Sequence, residues 1–529
     1  MFFQTIASFT TVDYILIIFL TFFSYLIRFY YNHFTRPNPL PGPLPLPFEL
    51  ENYFYDGNFK LIAATLQQKY GDICEFRLGG YRRILLSRTD YFENLLTTST
   101  KSSILFGKHE YTQGMDELGV FGRGIFFNSD YETWKINRYL FSQSMSTPGF
   151  NDEVIKQSNV LFNELEGYWN SLKNSNSSND VWFEMDFLPW INRYSCDIIT
   201  ALATGERAYS MASYYNSFNS NENSCFDTSK LYYSDKFNRS IISLIRGMII
   251  FQLVNPFLRY HVASYRDKAN SVLADRDFIF NSLDNVIEQR KFELSKTPHE
   301  LKSKHDLLTF LLSHDVNEMS INNDVIRSIL LDAFLAGFDT TSHLLCYIIY
   351  YICHNPHVKQ KMFDEIDSVF PNNSSDTPYI TADILAKLKY CEAIIKETSR
   401  VMPVTAVSKR VAAAECQVAG YTWPTKTIFH LNYASIHMNE KYWENPNAYD
   451  PDRFYLKNNL NGFENNLDSI SKYSLVIFGG GIRICPGRKF AMNNMLSFMA
   501  LMFKKYDVEL VDMQAPLKTY TTFITTCLG

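Results

Sequence analysis

From Asp324 to Cys353 the sequence holds an apolar pattern that stops only before Asn355-Pro356. This predicts a helix of about 30 residues, roughly 45 Å long, which has to run through the middle of whatever domain contains it. Between Ala333 and Cys353 only Asp339 and His343 charge near neutral pH. A membrane span would have to place that acid near mid-bilayer, where it is costly, so a buried core helix is the better reading. Inside it, Ala336-Gly337-Phe338-Asp339-Thr340-Thr341 brings together a glycine, an acid and two hydroxyls, all poor helix-interior residues. A Thr340 hydroxyl bonded to the Ala336 carbonyl one turn back would bend the helix and open a groove able to take a diatomic molecule and water.

A second feature lies near the C-terminus, in Phe478-Gly-Gly-Gly481-Ile-Arg483-Ile-Cys485-Pro486-Gly487-Arg-Lys-Phe-Ala491. The glycines let backbone lie against a large planar ligand. Cys485 precedes a helical pattern whose N-terminus would stabilise a thiolate, with Pro486 at the first helical position and the Gly487 and Arg488 N–H groups as donors to sulfur. Arg483 is placed to meet a ligand carboxylate. The spacing Phe-x-x-Gly-x-Arg-x-Cys-x-Gly-x-x-x-Ala resembles the haem-binding signature of the cytochrome P450 superfamily and fills each fixed position, which makes Phe478, Gly481, Arg483 and Gly487 cofactor contacts and Cys485 the axial ligand of iron.

The resemblance extends to four further motifs in family order. Ala336 to Thr341 resembles the oxygen-binding motif, which implies Thr340 as hydroxyl donor to dioxygen and Asp339 as the acid feeding protons. Thiolate donation on one side and protons on the other are what O–O cleavage on haem iron needs. Some fatty-acid hydroxylases of the family carry at position 336 a Glu that esterifies haem; this chain has Ala336, so haem b is expected to be non-covalent. Sterol 14-demethylases typically have His where Asp339 stands, which disfavours that activity. Glu397 and Arg400, with Arg453 in Pro451-Asp452-Arg453-Phe454, resemble the family's charge triad that holds the haem loop. Trp134 and Arg138, at i, i+4, and Arg410 resemble the partners of the haem propionates.

The rest of the chain sets class and place. Among 529 residues the formal charge is -5, with no basic face of the kind nucleic acid requires. Nine cysteines include no CxxC pair, which fits a reducing compartment. The apolar run from Thr11 to Tyr31 is about 20 residues, enough to cross a bilayer, though a helix lying in the membrane interface is the alternative. Asp13 precedes the core of this run and Arg28, His33 and Arg36 follow it, which puts the larger part in the cytosol. Residues 1–31 are read as an anchor, 32–50 as a stiff proline-rich hinge carrying Pro37 to Pro47, and 51–529 as a haem-thiolate catalytic domain. A proline hinge after an anchor resembles the microsomal branch of the family, which implies a single-pass protein of the endoplasmic reticulum membrane.

Leu61 to Tyr70 reads as helix, Ile73 to Leu86 as a hairpin turning at Gly79-Gly80, and Val411 to Ile428 as a second strand region with a turn at Gly420 to Pro424. The fold class is mainly α with a small β part, a cytochrome P450 fold preceded by a transmembrane helix. Polar stretches at 174–180, 217–224 and 372–376 read as solvated inserts. Phe121, Phe126, Phe127, Phe334, Phe338, Val404, Val407 and Phe523 are candidate walls of an apolar substrate pocket. The expected activity is hydroxylation of a hydrophobic small molecule with O2 and NADPH-derived electrons. NADPH-cytochrome P450 reductase would supply them, with cytochrome b5 as a further donor, docking at Arg488, Lys489 and Lys135. A haem-thiolate isomerase or dehydratase and a haem sensor are the alternatives; Asp339 and Thr340 argue against both.

Overall fold

The apolar N-terminal run is helical from Thr11 to Phe34 (α1). A capping box opens it: Thr10 accepts from the Asp13 N–H and Asp13 accepts from the Thr10 N–H at 2.8 Å. None of its residues is buried, and at about 36 Å it is long enough to cross a hydrocarbon core. The structure, a computed structural model, describes residues 10–47, 58–97, 107–175, 182–218, 228–296, 304–314, 321–370, 378–459, 473–522 and 524–528. Phe523 and most of the three polar stretches fall outside them.

After α1 the chain does not run free. Arg82 donates to the carbonyls of Pro37 (2.7 Å) and Asn38 (2.6 Å), Asn38 donates to the Thr422 carbonyl (2.6 Å), and Glu75 pairs with both Arg36 and Arg82. Leu40 is buried in the core between the sheet and Trp423. The proline segment is therefore docked along the sheet edge, where its fixed φ angles make an extended strap that costs little entropy to hold.

The main sheet has four strands in the order β1 (Ile73–Leu78), β2 (Tyr81–Leu86), β6 (Ile428–Asn432), β3 (Val407–Val411). Only the β2–β6 pairing is parallel. Gly79 and Gly80 both have positive φ, as a two-residue hairpin turn requires. The second strand region is a separate hairpin, β4 (Cys416–Val418) and β5 (Tyr421–Trp423), with positive φ at Ala419 and Gly420. The expected turn at Gly420 to Pro424 is replaced by two: Ala419-Gly420 closes the hairpin, the aromatic alternation of Tyr421 and Trp423 goes into strand, and a second turn runs from Pro424 to Thr427. A C-terminal hairpin pairs β7 (Thr519–Thr521) with β8 (Thr525–Cys527).

The helices after α1 that bear on the site are α2 (Phe59–Tyr70), α3 (Tyr131–Ser146), α4 (Pro148–Ser175), α5 (Phe187–Thr204), α6 (Thr228–Leu253), α7 (Ala263–Lys296), α8 (Asn323–Gly337), α9 (Asp339–His354), α10 (Lys389–Val401) and α11 (Arg488–Lys505). The predicted helix from Asp324 to Cys353 spans Asn323 to His354, with its regular pattern broken at the single residue Phe338, which divides it into α8 and α9 while keeping right-handed helical angles. Most of its length is buried, the opposite of α1, so it is a core element. It packs against α5, α10 and α11 in the largest apolar cluster of the molecule. The interruption coincides with the Thr340 hydroxyl donating to the Ala336 carbonyl at 2.7 Å.

Candidate active site

The cysteine loop is shaped by its glycines. Gly479 and Gly481 have positive φ, and a Cβ on Gly480 or Gly481 would lie 3.0 Å from Leu96 Cβ or 2.9 Å from the Thr97 carbonyl. The loop can therefore lie flat against the end of the helix Thr89–Leu96 only without side chains. The Cys485 N–H donates to the Phe478 carbonyl at 2.8 Å and closes the loop. The helix α11 begins at Arg488 with Gly487 as its cap, so Pro486 lies in the turn before the helix rather than at its first position. Proline's ring fits the turn equally well, and the Gly487 N–H is what reaches the sulfur. Burial pushes the Cys485 thiol up; the Gly487 N–H and the positive charges of Lys108, Arg138 and Arg488 pull the other way.

Around this sulfur the fold gathers cations from four separate segments. Arg483 is buried, stacks over Trp134 at 5.1 Å, and donates to the carbonyls of Phe126 (2.9 Å) and Asn128 (3.2 Å). Arg410, on β3, donates to the Lys409 and Gly480 carbonyls. Arg138, one turn after Trp134 on α3, is held near Cys485 and Arg488. Lys108, not singled out in the sequence, lies among Arg483, Arg410 and Arg138 and over the Phe126 ring at 5.4 Å. Burial and mutual repulsion hold Lys108 and Arg483 well below their ordinary pKa ranges. Among the described residues none of Lys108, Arg138 and Arg410 forms an ion pair with a carboxylate. With Arg410 and Arg483 buried and Lys108 and Arg138 half-buried, so much positive charge calls for anionic partners. A planar ligand with two carboxylates at its edge and a metal that takes a thiolate matches this donor set, and haem has that chemistry.

A bridge joins this loop to the central helix. Asp332 on α8 accepts from the N–H groups of Ile125 and Phe126, and Arg483 holds the Phe126 and Asn128 carbonyls, so one short stretch is clasped from both sides. Burial raises the Asp332 carboxyl to about 6 against those two donors and Arg483. An acid inside the apolar run Ile329 to Leu335 was a readable signal for this clasp. At the helix break, Ala336 is exposed and Gly337 and Thr340 are half-buried, while Phe334, Phe338, Asp339 and Thr341 are buried. The broken turn thus opens on one side only.

The charge triad of the sequence reading comes together. Glu397 and Arg400 are fully buried and joined twice, at 2.7 and 2.8 Å. Arg453 reaches Glu397 at 3.6 Å and donates to the Glu444 and Asn445 carbonyls. Arg400 also donates to the carbonyls of His437, Pro446 and Ala448. His437, which the sequence reading missed, accepts the Val476 N–H at 2.9 Å and so connects the triad to the cysteine loop.

The proposed pocket residues are less uniform. Phe334, Phe338 and Phe127 are buried in the main core, Phe334 packing edge-on against Phe237. Val407 joins the small cluster under α2 with Leu85 and Phe76. Phe126 remains partly exposed beside His109, Phe121 packs against Tyr111, and the half-buried Val404 accepts the Thr525 N–H at 2.7 Å. Phe523 lies outside the described residues. Lys135, Arg488 and Lys489 are exposed.

The family model described as Cytochrome P450 matches residues 38–527. The chain is 27% identical to cytochrome P450 3A12 of Canis lupus familiaris over 526 residues, covering 97% of this chain and 94% of the relative. It is 24% identical to steroid 17-alpha-hydroxylase/17,20 lyase of Squalus acanthias (85% and 81% covered) and 24% identical to (S)-1-hydroxy-N-methylcanadine 13-hydroxylase of Papaver somniferum (89% and 82%).

Proposed function

This chain belongs to the cytochrome P450 family and is a haem monooxygenase; from that premise we propose that it hydroxylates a hydrophobic small molecule at the endoplasmic reticulum membrane, with electrons from NADPH-cytochrome P450 reductase. Residues 1–31 are the single-pass anchor, 32–50 the hinge and 51–529 the catalytic domain, facing the cytosol. Haem b ligated by a thiolate supplies dioxygen activation and oxygen transfer when bound. Cys485 is the ligand, with Arg483, Arg410, Arg138 and Trp134 as partners of the propionates and Lys108 as an added cation. Phe478, Gly481 and Gly487 shape the loop that carries the sulfur. Asp339 holds and passes protons, and Thr340 turns its one hydroxyl hydrogen from the Ala336 carbonyl, where it rests at 2.7 Å, toward the opening. Glu397, Arg400 and Arg453 hold the loop without taking part in chemistry.

The observation that carries this reading is the convergence of four cations and one loop cysteine, an arrangement without purpose unless a dianionic thiolate-binding cofactor occupies it. Phe121, Phe126 and Val404, with Phe523, supply apolar surface for the substrate. Lys135, Arg488 and Lys489 form an exposed basic face suited to an acidic electron donor. The two relatives named as hydroxylases act on different compounds by name, a steroid and a methylcanadine, so substrate class goes no finer than hydrophobic. The test is the reduced carbon monoxide difference spectrum of the full chain beside Cys485→His. A Soret band at the thiolate position, lost in the variant, is expected; haem without that band would replace Cys485 as ligand, and absence of haem would remove the proposal.

A further inference from the structure

The acid of the central helix is held by a base one turn further on. Asp339 Oδ1 and His343 Nε2 are 2.9 Å apart, and both side chains are buried. The main-chain N–H of Cys527, on β8, donates to His343 Nδ1 at 3.1 Å. A nitrogen that accepts an N–H carries no hydrogen, so the neutral ring has its proton on Nε2 and donates it to Asp339. Oδ1 then faces a donor, and any proton that Asp339 takes up sits on Oδ2. One turn on, Tyr347 donates to the Thr525 carbonyl at 2.8 Å, and the Thr525 N–H is held by the Val404 carbonyl. The hairpin strand that sets His343 is thus itself fixed at two further points.

We propose that His343 is a positioning residue for proton delivery: it fixes the Asp339 carboxylate by one oxygen, through β8, and reserves the other for the proton that passes toward Thr340. The inference rests on the role assigned above to Asp339. The competing account is a plain staple between α9 and β8, which needs the same two hydrogen bonds but has no effect on proton transfer.

Two measurements separate these accounts. In the diamagnetic ferrous carbon monoxide complex of the full chain, nitrogen-15 correlations of labelled histidine rings are expected to show His343 as the Nε2–H tautomer, assigned by its loss in His343→Gln. The Nδ1–H tautomer would overturn the proposal. Next, hydrogen peroxide released per NADPH consumed is read with the reductase and O2 and no added substrate. Four electrons and four protons take O2 to two waters; when protons fail to arrive, two of each release hydrogen peroxide. His343→Leu is expected to raise the ratio of peroxide to water about tenfold, less than the ~100-fold or more that a positioned proton donor itself contributes. His343→Gln keeps an N–H near the Nε2 position and is expected to reverse most of that rise. Should His343→Leu not fold, as judged by the carbon monoxide spectrum, His343→Asn, whose amide is too short for Asp339, replaces it. If Asp339→Asn raises the ratio and the His343 variants do not, His343 is only a staple. If Asp339→Asn itself changes nothing, the assignment of Asp339 fails and this proposal falls with it.

Discussion

At His437 an imidazole with no exposed surface accepts a main-chain N–H and touches the network of Arg400. Burial, then the Arg400 charge, lowers its pKa from 6.5 to about 3. The folded ring thus stays neutral while the unfolded one gains a proton below pH 6.5, so stability is fully present above 6.5 and is lost as pH falls toward 3. Urea midpoints across that range should fall steeply for the native chain and less steeply for His437→Gln, whose amide oxygen still accepts the Val476 N–H. The buried pair beside it is more sensitive still. Arg400→Met strands Glu397 and is expected to cost about 3 to 5 kcal/mol, read as lower urea midpoints and weaker haem retention. The Glu-x-x-Arg spacing made the pair readable in sequence. His437 was not, because nothing local distinguishes a histidine that will accept a loop N–H from one on a surface.

Among elements, the strap from Arg36 to Leu40 departs most from what its sequence implies, and the central helix least. Proline spacing gives stiffness, yet docking depends on Glu75 and Arg82, which lie on two strands of a hairpin far along the chain. Arg82→Ala removes its bonds to Pro37 and Asn38, and should speed limited proteolysis within residues 36–42 several-fold while leaving the carbon monoxide spectrum unchanged. An unaltered cleavage rate would mean that Leu40 burial alone holds the strap. For the central helix, the motif foretold a bend, and the structure interrupts the helix at Phe338. The Thr340 hydroxyl was legible as its cause because back-bonding to a carbonyl four residues earlier is a local event.

Across the whole molecule, exposed Lys135, Arg488 and Lys489 sit on α3 and α11, close to the segments that carry Arg138 and Cys485. Lys489→Glu is expected to raise the reductase KM by about three- to tenfold at low salt, and the gap should close as salt screens the contact. A salt-independent defect would place the docking face elsewhere. The cation group around the cysteine loop makes a second prediction at this scale. Lys108→Met removes one charge from a group of four, and should raise the thiol pKa of Cys485 in haem-free protein, because Lys108 is among the charges that lower it. Thiolate absorbance against pH checks the direction.

The sequence by itself determined the elements whose cause is local or repetitive: the apolar helix α1, the hairpin turning at Gly79-Gly80, the glycine loop around Cys485, the i, i+3 pair Glu397 and Arg400, and the weakened turn at Thr340. Each needs only residues within a few positions of one another, so composition and spacing carry the information. Tertiary structure alone decided which distant groups meet. Lys108 joins Arg138, Arg410 and Arg483, Asp332 clasps the stretch before α3, Cys527 sets the ring of His343, and Glu75 fastens the proline strap. It also decided where the apolar candidates pack, with Phe334 in the main core and Val407 against the cluster under α2. Burial and long-range electrostatics depend on the path of the whole chain through space, and one residue's type and its near neighbours hold no record of that path.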